Sequence, residues 1–343
     1  MKLTGGKPRI CVLFCGGTIV MEPDPKTGAL DVGGGTETIL NLEPRLREAY
    51  DLNVIFIDNI DSSNMTMGHW DRLVKTISEN YEKYDGFVIT HGTNTMGYTS
   101  SALSFALRGI GKPVVLTGAQ IPANKLESDA RQNFVNAVKL AAMDISGVYV
   151  VFGSRIMLGC RAKKDNEYDL NAFKTFNGKD VGEIGIKIQM NGKYARRHER
   201  KLEAKPGFES NLAVITMEPG ISGEMFNSLV EAGIQGFVLR AFGAGDMPHW
   251  LISFLDEAHK RKIPVVVTTQ CPNGVTRMNL NLVGKHALET GVIQAFDMSM
   301  ESMTTKLHWL LAHRTPYEKI KGMMETDMCG EVAPQNKDDE ENG

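Results

Sequence analysis

The chain has 343 residues, 38 Lys+Arg against 41 Asp+Glu, 42% hydrophobic and 23% charged, the balance of an ordinary globular protein. The net charge of −3 is carried by the tail, where Lys337 stands against Asp338, Asp339, Glu340 and Glu341. The body is therefore neutral and lacks the basic surplus of an electrostatic nucleic-acid binder. No run approaches the ~18 apolar residues of a membrane span, and the first apolar run, residues 10–14, is shorter than the ~7–15-residue core of a signal peptide.

Short β-branched runs alternate with helical periodicity. Strands are predicted over 9–14, 53–58, 86–90, 113–117 and 147–152, and helices over 37–50, 68–84, 96–108 and 128–143. Val12-Leu13-Phe14 and Pro113-Val114-Val115-Leu116 are continuously apolar, as parallel strands buried on both faces are. The alternation specifies an α/β fold with a doubly wound parallel sheet. Between Tyr194 and Asn211 the pattern breaks: Arg196, Arg197, Glu199, Arg200, Lys201, Glu203 and Lys205 precede Pro206-Gly207, the composition of a linker. Alternation resumes with strands over 211–217, 236–240, 263–268 and 291–295, and helices over 222–232, 248–261 and 300–312. The expected organisation is a larger N-terminal domain over 1–195, a linker over 196–211, a smaller C-terminal α/β domain over 212–332 and an acidic disordered tail over 333–343.

Five scattered cysteines, Cys11, Cys15, Cys160, Cys271 and Cys329, argue for free thiols in a reducing cytoplasm. Walker A, G-x-G-x-x-G, G-x-S-x-G and H-E-x-x-H motifs are all absent, and the eight histidines are scattered. Glycines and hydroxyls instead crowd the strand ends. Cys15-Gly16-Gly17-Thr18-Ile19 follows the first strand, Asp61-Ser62-Ser63-Asn64 the second, Thr90-His91-Gly92-Thr93-Asn94-Thr95 the third and Thr117-Gly118-Ala119-Gln120 the fourth. Neighbouring parallel strands deliver such ends to one crevice. Glycines let backbone N–H groups approach a ligand, and a helix start at Thr93-Asn94-Thr95 aims donors and a positive dipole end at it. Any one such end is more often a turn or N-cap than a catalytic element. Four in one half-sheet point to a small polar ligand. A threonine needs a base to act as nucleophile, and a lysine serves when burial lowers its pKa. Lys163 and Lys164 both qualify, and the residues alone do not choose between them.

Gly16-Gly17-Thr18-Ile19 with His91-Gly92-Thr93-Asn94-Thr95-Met96 resembles the paired signatures of the bacterial-type L-asparaginases. Asp85-Gly86-Phe87-Val88-Ile89, Ser100-Ser101-Ala102-Leu103-Ser104-Phe105, Lys112-Pro113-Val114-Val115-Leu116-Thr117-Gly118-Ala119-Gln120-Ile121-Pro122 and Thr305-Lys306-Leu307-His308 extend the resemblance along nearly the whole chain, toward the cytoplasmic type I branch. The resemblance implies a Rossmann-like C-terminal domain and hydrolysis of L-asparagine to L-aspartate and ammonia through a threonine acyl-enzyme, with no metal and no organic cofactor. It also implies a homo-oligomer, a dimer or dimer of dimers, in which the partner's C-terminal domain completes the active site, here through Ala241-Phe242-Gly243-Ala244-Gly245-Asp246. Thr18 matches the nucleophile, Thr93 the second catalytic threonine and Lys164 the triad lysine, with Asn94 at the triad's third position. Asp61, Ser62 and Ser63 match the substrate-binding turn, the serines holding the α-carboxylate. Gly92 and Ala119 lie where backbone groups contact substrate. Arg240 and Cys271 occupy positions resembling an asparagine effector site.

Two departures stand out. Asn94 replaces the family's aspartate, whose carboxylate pairs with the substrate α-ammonium and the triad lysine. Ala29 stands where the active-site loop normally carries tyrosine, and no Tyr precedes Tyr50. Reduced or altered activity is therefore expected. The alternative, a catalytically silent amino-acid sensor on the same fold, is favoured by these departures and disfavoured by the presence of Thr18, Thr93 and Lys164. The asparaginase-like component of a tRNA-dependent amidotransferase is disfavoured by the neutral body and the lack of an extra domain before Gly16.

Overall fold

Strand β1 (Arg9–Gly16) is buried along almost its whole length because parallel partners flank it, β2 (Asp51–Ile60) on one side and β3 (Gly86–Thr90) on the other. Strands β4 (Pro113–Thr117) and β5 (Gly147–Phe152) continue the parallel array. Every residue of β3 and β4 is buried, which is why these segments read as unbroken apolar runs. β2 is the edge, and most of its side chains are only partly covered. The computed structural model describes residues 6–23, 30–32, 36–192, 194–208 and 211–333; Ala29 and the tail beyond Ala333 lie outside them.

The sheet is mixed rather than wholly parallel. Its order is β8-β7-β6-β5-β4-β3-β1-β2, where β6 (Arg155–Leu158), β7 (Gly182–Ile184) and β8 (Ile188–Met190) are joined by antiparallel pairings. Gly153, with φ +57, reverses the chain between β5 and β6, and so short a connection allows only a hairpin. Three helices cross between the parallel strands: α1 (Met67–Asn80), α2 (Met96–Ala106) and α3 (Ala130–Ala141). Ile10, Val12 and Phe14 alternate onto one face of β1 and pack in one cluster with Phe134, Ala137, Val138 and Ala141 of α3. Each of the fully buried Ile, Val and Phe side chains stabilises the fold by about 1.5–3 kcal/mol.

The helix predicted over 37–50 is broken into Thr36–Asn41 and Leu46–Ala49. Pro44 lacks an N–H and disfavours helical geometry at Glu43. The Glu43 carboxylate instead accepts from the backbone N–H and Nε of Arg45, at 3.3 and 2.7 Å. The charged stretch after Tyr194, read as the start of a linker, packs against the first unit up to Pro206. Arg197 is buried, and its guanidinium donates to the carbonyls of Met143, Asp85 and Ala141. Glu203–Ala204 pairs antiparallel with Leu107–Arg108, which ends the helix predicted over 96–108 two residues early.

The chain divides into two compact units, Met1–Pro206 and Gly207–Gly343. The second unit is built on four parallel strands in sequence order, β9 (Leu212–Thr216), β10 (Gly236–Ala241), β11 (Val265–Thr269) and β12 (Ile293–Gln294). Helices Gly223–Glu231 and Leu251–Lys260 cross between them, and Phe226, Phe237, Leu239, Leu251 and Phe254 share the core. Two further helices, Leu282–Glu289 and Tyr317–Glu325, lie outside the predicted elements; each carries an internal glycine, Gly284 and Gly322, which lowers helix propensity. Ser299 caps Met300–Ala312 by accepting from the Ser302 N–H at 3.1 Å. On that helix Lys306 is fully buried and donates to Glu331, also fully buried, at 2.5 Å and to the carbonyls of Met324 and Thr326. Lys306 thus has a structural role, holding the segment after Tyr317–Glu325 in place. Among the described residues no helix is long and apolar enough to cross a membrane.

Candidate active site

The first strand leaves the sheet through two left-handed residues, Gly16 at φ +80 and Gly17 at φ +90. A Cβ on Gly17 would lie 2.4 Å from the Gly92 nitrogen, and one on Gly16 would lie 2.7 Å from the Ile60 nitrogen. Only glycine permits this approach. The end of β1 is thereby pressed onto the His91-Gly92 turn that follows β3. Thr18 comes next, half-buried at the start of a 3-10 turn, Thr18–Val20. Gly17→Ala is therefore expected to lower stability by ~1–3 kcal/mol from backbone strain, with further loss from the backbone overlap. It should also depress any Thr18-dependent turnover at least tenfold at temperatures where it stays folded. Thermal melts with parallel kinetics check this, and unaltered kinetics in a folded Gly17→Ala protein would contradict it.

The end of β2 is fixed next to the same turn. Asp61 caps the short helix Ser62–Asn64 by accepting from the Ser63 N–H at 2.7 Å. Ser62 is buried behind Gly92, whose hypothetical Cβ would lie 2.6 Å from the Ser62 Oγ. Thr95 Oγ1 donates to the Ser62 carbonyl at 2.8 Å, joining the two strand ends. Ser63 stays exposed, and its Oγ accepts from Asn94 Nδ2 at 3.0 Å.

Lys164 arrives from the far side. It ends the strand Ala162–Lys164, which pairs with Phe173–Thr175. The preceding turn Gly159–Arg161 is anchored to α2, because Ser100 Oγ donates to the Gly159 carbonyl at 2.7 Å. Lys164 Nζ donates to Thr93 Oγ1 at 2.8 Å and to Asn94 Oδ1 at 3.0 Å. Strand alternation separates the two lysines: the Lys163 ammonium lies over the Phe176 ring instead, 4.8 Å from its centroid. Burial holds the Lys164 pKa below its ordinary value, with the Glu167 and Asp61 carboxylates pulling the other way. Thr93 is buried while Asn94 is exposed, so the chain Thr93–Lys164–Asn94–Ser63 runs from the protein interior out to solvent.

That chain places a hydroxyl against an amine that surrenders its proton more readily than an ordinary lysine, which is what general-base chemistry requires. Ala119, just beyond β4, turns its methyl group into the apolar core. In the second unit, Arg240 and the segment leading to Cys271 lie at the C-terminal ends of the paired strands β10 and β11. Arg240 Nη1 donates to Thr216 Oγ1 at 3.3 Å, while its Nε is buried without a hydrogen-bond partner among the described residues. Cys271 is exposed, and its backbone N–H donates to Thr269 Oγ1. The thiols of Cys11 and Cys15 are buried, which pushes each pKa up to about 12 and leaves them unreactive.

Comparison with known proteins gives a consistent result. The family description "Asparaginase, N-terminal" matches residues 9–196, and "Glutaminase/Asparaginase C-terminal domain" matches residues 211–324. L-asparaginase 1 of Escherichia coli K12 is 36% identical over 337 residues, covering 96% of this chain and 99% of the relative. The D subunit of the glutamyl-tRNA(Gln) amidotransferase of Pyrococcus abyssi is 32% identical over 349 residues, covering 97% of this chain and 79% of the relative. The solved structure of the thermostable L-asparaginase from Thermococcus kodakarensis matches with a TM-score of 0.87 at 35% identity, covering 95% of this chain and 100% of that one.

Proposed function

The chain belongs to the asparaginase family, type I branch, and on that premise we propose that it hydrolyses L-asparagine to L-aspartate and ammonia with Thr18 as nucleophile. The observation that carries this reading is the hydrogen-bonded chain of Lys164 with Thr93 and Asn94, continued to Ser63. Thr18 Oγ adds to the side-chain amide carbon of the substrate, and ammonia leaves with the hydroxyl proton. The resulting ester is cleaved by water. Lys164 in its neutral form draws the Thr93 proton and so makes that hydroxyl a base toward the attacking groups. Ser62 and Ser63 receive the α-carboxylate on the turn that Asp61 caps, and backbone groups at Gly92 and Ala119 border the substrate. The reaction needs no metal or organic cofactor. Asn94 makes turnover slower than a carboxylate at that position would.

The site is completed by a second copy through residues 241–246. Here Gly243 and Gly245 take positive φ, and Phe242 projects into solvent from a tight bridge with Asp246. An isologous dimer or larger closed oligomer is expected at micromolar concentration. Sedimentation with parallel kinetics checks this; a fully active monomer would contradict it. The free state of all five cysteines supports a cytoplasmic location. Arg240, at the end of β10 with a buried donor that has no partner among the described residues, and Cys271, beyond the end of the neighbouring β11, are the candidates for a second asparagine site, which a sigmoidal rate curve abolished by Arg240→Ala would reveal.

The amidotransferase relative favours a second reading, an amide-hydrolysing component of a tRNA-dependent amidotransferase. Ammonia release from free L-asparagine by the purified chain separates the possibilities. Turnover without tRNA or partner protein supports the asparaginase. Binding without turnover supports a silent sensor. Turnover only with tRNA and a partner protein supports the amidotransferase.

A further inference from the structure

His91 is fully buried beside the Thr93 turn, and both of its ring nitrogens are engaged. Nδ1 lies 2.7 Å from the Gly92 carbonyl oxygen, and Nε2 lies 2.9 Å from Thr99 Oγ1 on α2. The indole Nε1 of Trp70, on α1, donates to the same Thr99 oxygen at 3.0 Å. These contacts determine where the ring proton sits. A carbonyl can only accept, so Nδ1 carries the hydrogen. In the neutral ring Nε2 is then the acceptor, so Thr99 Oγ1 accepts the Trp70 indole N–H and turns its own hydrogen toward Nε2. The neutral imidazole thus satisfies every partner. Burial favours the same neutral form and holds the ring's pKa down at about 4; the Gly92 contact works the other way, and His69 lowers it further.

We propose that His91 is a positioning residue: its neutral Nδ1–H tautomer, locked by the Trp70–Thr99 relay, sets the orientation of the Gly92–Thr93 peptide. Because that peptide is planar and trans, pinning the Gly92 carbonyl toward the buried ring turns the Thr93 N–H away from it. The same constraint holds the Thr93 hydroxyl 2.8 Å from Lys164 Nζ and keeps the Gly92 backbone against Gly17, next to Thr18. The kinetic consequence rests on the reading of Thr93 and Lys164 as catalytic; the tautomer and the peptide orientation do not.

The test joins nuclear magnetic resonance to kinetics on the full chain. Nitrogen chemical shifts should show the His91 ring as the Nδ1–H tautomer from neutral pH down to about pH 5, below the ordinary histidine midpoint. Thr99→Val removes the hydroxyl with little change of shape, and Thr99→Ser restores it. In Thr99→Val the Thr93 amide resonance should move and kcat for asparagine should fall about tenfold, with KM changed less than twofold. In Thr99→Ser both should return toward the parent. An Nε2–H tautomer, a ring titrating at its ordinary value, or an unmoved Thr93 amide in folded Thr99→Val would overturn the proposal. If Thr99→Val does not fold, the parent tautomer and the Thr99→Ser spectra decide it. A chain with no asparagine turnover but with the expected resonances would sink the asparaginase reading and leave the positioning role standing.

Discussion

Thr18→Ala is expected to abolish asparagine turnover while leaving the fold intact. Removing a nucleophile while the rest of the site remains lowers kcat on the order of 10⁴-fold or more, which corresponds to about 5–6 kcal/mol of transition-state stabilisation. Stability should change little, within about 0.5 kcal/mol, because Thr18 is only half-buried and its side chain is not part of the apolar core that its neighbour Ile19 joins. Ammonia release, measured beside a thermal melt, checks both halves. Undiminished turnover in the alanine variant would remove Thr18 from the reaction. Loss of folding together with loss of turnover would mean that the hydroxyl is structural.

Asn94→Asp is expected to raise kcat/KM for L-asparagine about tenfold to a hundredfold. The substrate carries an α-ammonium that must leave water, and a buried charge without its partner costs ~2–5 kcal/mol. Asn94 is exposed and still offers an acceptor oxygen, so a value around and below the low end of that range applies, about 1.4–2.8 kcal/mol at about 1.4 kcal/mol per tenfold. The amide in place already bonds Lys164 through Oδ1 and Ser63 through Nδ2. A carboxylate keeps the first bond and turns the second around, since the Ser63 hydroxyl can donate as well as accept. The added charge also favours the ammonium form of Lys164, whose pKa is held down by burial in the present chain. In the proposed reaction Lys164 acts as the neutral amine, so raising its pKa moves the rising limb of the pH–rate profile of Asn94→Asp to higher pH. Equal kcat/KM values and superimposable profiles would show that Asn94 is not at the ammonium site.

Much of this arrangement is legible in the sequence, and the exceptions have physical causes. β3, β4 and β5 have the bounds predicted because a parallel strand buried on both faces is an uninterrupted apolar run between polar turns. The two short helices around Pro44 read as one because the apolar spacing continues across them, while a single proline breaks the hydrogen-bond ladder. β6, β7 and β8 leave no signal; they are three or four residues long, too short for alternation to register. Around the candidate site, glycines and hydroxyls at four strand ends mark the crevice. The choice between Lys163 and Lys164 needs the strand Ala162–Lys164, where adjacent side chains point to opposite faces. His91 is one of eight scattered histidines, and nothing in its neighbours announces Trp70 and Thr99 as partners, because those contacts span three elements. Arg197 sits in a charged run that reads as a linker, yet three backbone carbonyls draw its guanidinium inward.

In the proposed reaction the acyl group of the substrate is carried on Thr18. The most direct test of this step is acid quenching during steady-state turnover of saturating L-asparagine, followed by mass spectrometry of the digested chain. The peptide containing Thr18 is expected to carry one aspartyl group as an ester, absent without substrate and absent from Thr18→Ala. Continued turnover with Thr18 unmodified, or an aspartyl group found on Thr93 instead, would contradict the account.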